Sequence, residues 1–116
     1  MKPLASLDQL EAALNDSAQN PIFLFKHSTA CPISQAALHE VDRYSESRRE
    51  SDPVVYMVRV IEERPVSNSI AERLDVLHKS PQIILVDDGK AVWNASHHGI
   101  YERRLHEAAT GTLETK

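Results

Sequence analysis

The stretch Pro21-Ile22-Phe23-Leu24-Phe25-Lys26-His27-Ser28-Thr29-Ala30-Cys31-Pro32-Ile33-Ser34 decides the fold. Its first part, Ile22 to Phe25, is an unbroken apolar run, the pattern of a strand covered on both faces. Lys26 to Ala30 reads as the turn that leaves this strand. Pro32 fits the first position of a helix, because its missing amide hydrogen would be unpaired there anyway and its φ is already close to helical. Beyond it Ile33, Ala36, Ala37, Val41 and Tyr44 recur with helical period, and the pattern is expected to fray between Ser45 and Asp52.

Upstream, Ser6 and Gln9 have capping-box spacing, and Leu7, Leu10 and Leu14 predict the apolar face of a first helix. Downstream, Pro53 bounds a β-branched run from Val54 to Val60 that predicts a second buried strand. Ser67 is positioned to cap a further helix carrying Ile70, Leu74 and Leu77, which Ser80 and Pro81 end ahead of a strand from Ile83 to Val86. Asp87-Asp88-Gly89 is a hairpin signal that returns Ala91, Val92 and Trp93 antiparallel to that strand. His97 to Gly99 then connects to a last helix with Tyr101, Leu105 and Ala108 on its apolar face, ended by Gly111, with residues 112–116 as a loose tail. Strands alternating with helices in this order predict an α/β fold: a mixed central sheet flanked by helices on both faces, formed as a single domain over residues 1–116.

Composition narrows the function classes. With 41% hydrophobic and 26% charged residues the chain can bury a core under a solvated surface. Thirteen Lys and Arg against seventeen Asp and Glu leave a formal net charge of −4, a field that repels nucleic acid and anionic lipid. The first residues carry neither a secretory apolar run nor a membrane-spanning stretch, so the cytoplasm is the expected location.

Cys31 is the only cysteine, which excludes an internal disulfide and a zinc site built on several thiolates. It stands between a buried strand and a helix start, where unpaired backbone amides and the helix dipole favour a thiolate. Ser34 occupies the place of the second thiol in a Cys-x-x-Cys site. Its hydroxyl can donate to a thiolate but cannot close a disulfide, so a mixed disulfide on Cys31 must be resolved by an external thiol. His27 lies four residues before Cys31 and could raise the local positive field, although a surface histidine at a strand end is the plainer reading. His97 and His98 lack the further ligands of a zinc site, and Lys90, Trp93, Tyr44 and Tyr101 are explained by hairpin and helix packing. Gly89 and Gly99 do not make a phosphate-binding loop. Pro81 can start a strand with an ordinary trans bond or hold a cis bond in a tight bend.

On the string His27 to Ser34, on Ser80-Pro81 and on the Asp87-Asp88-Gly89 hairpin, the chain resembles the thioredoxin-like superfamily and, more closely, the monothiol bacilliredoxin family. The resemblance implies a three-layer thioredoxin-like sandwich in which Cys31 is the exchange cysteine, supported by Pro32, with Ser34 in the resolving position. It implies that Pro81 is cis and that Ser80 and Pro81 position the client beside the sulfur. It further implies removal of bacillithiol, or a related low-molecular-weight thiol, from S-thiolated client proteins, with that thiol as co-substrate and no metal or tightly bound cofactor. Ala30 departs from the polar or charged residue the family often has there. A nonenzymatic interaction module and a single-cysteine redox sensor are the competing classes.

Overall fold

The computed structural model describes residues 1–114. Along the chain come β1 (Lys2–Pro3), α1 (Leu7–Asp16), β2 (Ile22–His27), α2 (Pro32–Ser47), β3 (Val54–Arg59), α3 (Arg64–Leu74), β4 (Gln82–Asp87), β5 (Lys90–Ser96), a 3-10 turn (His97–Gly99) and α4 (Glu102–Glu114). The strands form one sheet in the order β1-β3-β2-β4-β5. β3 runs parallel to both β1 and β2, whereas β4 is antiparallel to β2 and β5.

β2 is central and all six of its residues are buried, as its apolar run requires. Alternation sends Ile22 and Leu24 to a core shared with Leu10 and Leu14 of α1 and Ile70 and Leu74 of α3. Phe23 and Phe25 face the opposite core with Ala37, Val41 and Tyr44 of α2 and Leu105 and Ala109 of α4. The Phe23 ring meets Tyr44 edge-on at 5.2 Å between centroids and Trp93 at 6.2 Å, and the Tyr44 hydroxyl donates to the Pro53 carbonyl at 2.7 Å. Helices thus cover both faces of a mixed sheet, the layering expected from the sequence.

Several local expectations need correction. β2 does not end at Phe25: β3 pairs with it as far as His27 and β4 as far as Lys26, and this continued ladder takes both polar residues into the interior. In α1 the Ser6 hydroxyl accepts the Gln9 amide, yet Leu7 is exposed and the buried face is Leu10, Ala13 and Leu14. α2 ends at Ser47, within the stretch from Ser45 to Asp52 where fraying is expected, but its buried face is Ser34, Ala37, Val41 and Tyr44, leaving Ile33 and Ala36 outside. α3 begins at Arg64 with Pro65 in its first turn, so Ser67 lies inside the helix; Asp75, in the left-handed region, ends it before Leu77, which is 81% exposed. β1 was not foreseen. Tyr101 precedes α4 and is exposed, and the helix continues through Gly111 to Glu114. Residues 115 and 116 of the expected tail lie outside the described residues. The hairpin is as expected: Asp88 and Gly89 take φ of 52° and 75°, the primed turn geometry that favours glycine.

Two stability measurements follow from this core. Phe23→Ala removes a ring packed between Tyr44 and Trp93 and should cost about 3–5 kcal/mol, read as a lower urea midpoint at constant slope. Burial pushes the Lys26 amine down to about 8 from 10.5, so between these values the unfolded chain binds more protons and stability rises with pH. Tyr44, whose burial raises its pKa from 10.0, opposes that rise only near and above its unfolded value. Lys26→Met should flatten the increase measured by urea unfolding across the Lys26 window; an unaltered slope contradicts the assignment.

Candidate active site

The register places the site. Lys26 pairs with Gln82, so the preceding Pro81 comes against His27 at the carboxyl end of β2, where the chain turns into α2. Cys31 is the N-cap residue of α2, with extended φ and ψ of −119° and 122° and Pro32 following it in the first turn. Its carbonyl accepts the Gln35 amide at 3.1 Å, the first bond of the helix. Its side chain makes no capping hydrogen bond, and the residue is partly exposed. A nucleophile for large disulfide substrates needs that exposure, and the unpaired amides of the first turn supply a favourable field for negative charge.

Ser34 is completely buried, and its hydroxyl has a different engagement from the one foreseen. The Ser28 amide donates to Ser34 Oγ at 2.9 Å, and His27 Nδ1 lies 2.8 Å from the same oxygen. Among the described residues Ser34 forms no hydrogen bond to Cys31, so the donation to the thiolate expected from spacing is not realised in this geometry. One hydroxyl instead joins the end of β2, the 28–30 turn and the first turn of α2. His27 is 3% exposed, not the surface residue of the plainer reading. Burial holds its pKa below the ordinary histidine value, against opposing influences from Glu62, a backbone contact at Ser34 and Asp42. The imidazole is therefore a neutral hydrogen-bonding partner near pH 7.

The neighbouring connections are tied to the same corner. The Val60 amide donates to the His27 carbonyl at 2.9 Å, and Thr29 Oγ1 donates to Glu62 at 3.4 Å, bringing the β3–α3 connection alongside the 28–30 turn. Arg59 pairs there with Glu62 and Glu63. The Ser80–Pro81 peptide is cis, and the Pro81 carbonyl accepts the His97 amide at 3.1 Å. Thus the end of β2 and the first turn of α2 bring together His27, Ser28 and Ser34, with Cys31 at the helix cap, while the register sets Pro81 beside the end of β2. The polar signal missed in the sequence was Ser34 itself, which falls on the i, i+3, i+7, i+10 face with Ala37, Val41 and Tyr44.

His97 and His98 are exposed on the 3-10 turn, and among the described residues no three His, Cys, Asp or Glu side chains gather as a metal group. A hollow of about 290 Å³ bordered by Lys2, Asp16, Asn20 and Tyr56 adjoins the opposite ends of β2 and β3 and does not include Cys31. No described helix is long and apolar enough to cross a membrane.

Comparison with known proteins converges on this geometry. A solved structure described as having a thioredoxin fold is 34% identical, covers 92% of this chain and 91% of its own, and superposes with a TM-score of 0.81. Fasciola hepatica thioredoxin is 22% identical with a TM-score of 0.76, covering 96% of this chain and 98% of its own. A poplar thioredoxin h variant is 16% identical with a TM-score of 0.79, covering 99% and 84% respectively, and like the fluke protein it shows the fold alone. The family model described as Monothiol bacilliredoxin BrxC matches residues 2–105. With a thioredoxin-like sheet, one cysteine and a match over most of its length, this chain belongs to the monothiol bacilliredoxin family of thiol-disulfide oxidoreductases.

Proposed function

We propose that Cys31 carries the family's exchange reaction on protein mixed disulfides formed with bacillithiol or a related low-molecular-weight thiol. The observation that supports this reading most is a lone, partly exposed cysteine at the start of α2, with a serine in the resolving position. In the first step the Cys31 thiolate attacks the small-thiol sulfur; a new disulfide forms on Cys31, the client disulfide breaks, and the electron pair leaves with the client thiolate. In the second, a free small-thiol thiolate attacks the small-thiol sulfur held on Cys31. This forms the small-thiol disulfide and returns Cys31 as thiolate. No internal thiol competes with the second step, because Ser34 has only a hydroxyl.

The supporting residues act by placement. Pro32 starts α2 directly after the sulfur, and Ser34 holds the 28–30 turn through Ser28 and His27. Ser80 and Pro81 offer an extended edge to the client backbone beside Cys31. His27 contributes as Ser34's neutral partner. We assign the reaction to the cytoplasm, with S-thiolated proteins as clients, and to a single working unit spanning residues 1–116.

The deciding experiment incubates a bacillithiol-modified client with the protein, with and without free bacillithiol, and follows both protein masses. Transfer of the adduct to Cys31, followed by its release on addition of free thiol, is expected. Cys31→Ser should abolish both, and full turnover by that variant would reject the nucleophile. Modification of Cys31 without repeated turnover would favour a sensor. Ser34→Ala leaves the Ser28 amide and His27 without their shared partner, and should lower stability by about 1–3 kcal/mol in urea unfolding while slowing exchange. Equal stability and rate would remove Ser34 from the positioning set.

A further inference from the structure

Lys26 is the only lysine among the described residues with no solvent exposure, and it lies within hydrogen-bonding ladders to β3 and β4. No carboxylate among the described residues pairs with it; its amine meets His78 Nδ1 at 3.0 Å. An ammonium has only donors, so this contact requires Nδ1 to be the acceptor and His78 to be neutral with its proton on Nε2. His78 belongs to the connection between α3 and β4, two residues before Ser80. Gln82, directly across from Lys26 in the ladder, grips the same connection on both sides of His78: its Nε2 donates to the Leu77 carbonyl at 3.2 Å, and its Oε1 accepts the Lys79 amide at 3.3 Å. Two strand residues therefore hold the segment that leads into Ser80 and Pro81.

We propose that Lys26 and His78 are a positioning pair for the exchange reaction: the buried ammonium holds the neutral imidazole, and through it the 75–81 segment, so that protonation of His78 releases the client-binding edge. This rests on the role proposed above for Ser80 and Pro81. A protonated Nδ1 would set donor against donor and deprive Lys26 of its acceptor. The charged groups around His78 are Lys26 from β2, Arg64, Glu72 and Asp75 from α3 and its end, and Lys79 beside it in the chain; Gln82 of β4, which holds the same connection, does not titrate. His78 is itself exposed at the surface; partial loss of water around its ring, then the charges of Lys26 and Arg64, hold its pKa below its ordinary value, consistent with a neutral ring near pH 7.

Asparagine at position 78 can present an oxygen near the place of Nδ1 without titrating, whereas leucine removes the acceptor. The test measures client exchange from about pH 5 to 8 for the wild type, His78→Asn and His78→Leu. It also reads the imidazole tautomers of the 15N-labelled full chain by NMR, with the His78 signals assigned by their loss in His78→Asn. The expected results are an Nε2–H tautomer for His78 at pH 7, a several-fold rise in client KM for His78→Leu, and substantial rescue by His78→Asn. The ratio of His78→Asn to wild-type activity should rise as pH falls through the His78 titration. An Nδ1–H tautomer, or a single pH profile shared by all three proteins, would overturn the pair. Should His78→Leu fail to fold, the tautomer and the His78→Asn profile still decide. Exchange surviving in Cys31→Ser would instead remove the catalytic reading, and the tautomer would continue to report on the pair by itself.

Discussion

The structure depends on how its fully buried central strand leaves the sheet. β2 is covered on both faces and paired on both edges, so its polar final residues must find partners inside the protein or carry the cost of lost hydration. Ser34 meets that demand at one face by engaging His27 and the Ser28 amide together. His78 meets it at the other by accepting from Lys26. Between these two polar contacts the chain turns into α2, and Cys31 is the residue at the turn into the helix.

This arrangement gives physical content to a monothiol centre. In a dithiol site the residue three positions after the nucleophile supplies the second sulfur; here that position is a buried hydroxyl occupied in holding the turn. Replacing the thiol by a serine therefore does more than delete a resolving group, since it ties the geometry of the 28–30 turn to the helix that follows. The exchange chemistry then needs a thiol from solution, in keeping with the family to which the chain belongs.

Much of the fold was legible because the strongest signals were local. The apolar run Ile22 to Phe25, Pro32 at a helix start, and Asp88-Gly89 in positive-φ geometry each express steric or hydration preferences that neighbouring residues do not override. The misreadings arose where tertiary packing outweighed such preferences. Lys26 and His27 look like turn residues until strands on both sides extend the ladder over them. Ser67 has a cap's chemistry, but Arg64 and Pro65 begin the helix earlier, and Leu77 lost its expected helical place when Asp75 ended α3. β1, at two residues, is too short to produce a periodic signal and exists through its pairing with β3.

The amino-acid sequence by itself determined the order of elements from α1 onward, the single cysteine at a helix start and the absence of a second thiol, since these follow from residue identity and spacing. Only the tertiary structure decided that Ser34 faces His27 and Ser28 and that the buried Lys26 meets His78, whereas the cis Ser80–Pro81 bond is as the resemblance implied. The reason is that a hydrogen-bond partner far away in the chain is selected by strand register and by which helix covers which face, and neither is written in the local pattern around the residue it serves.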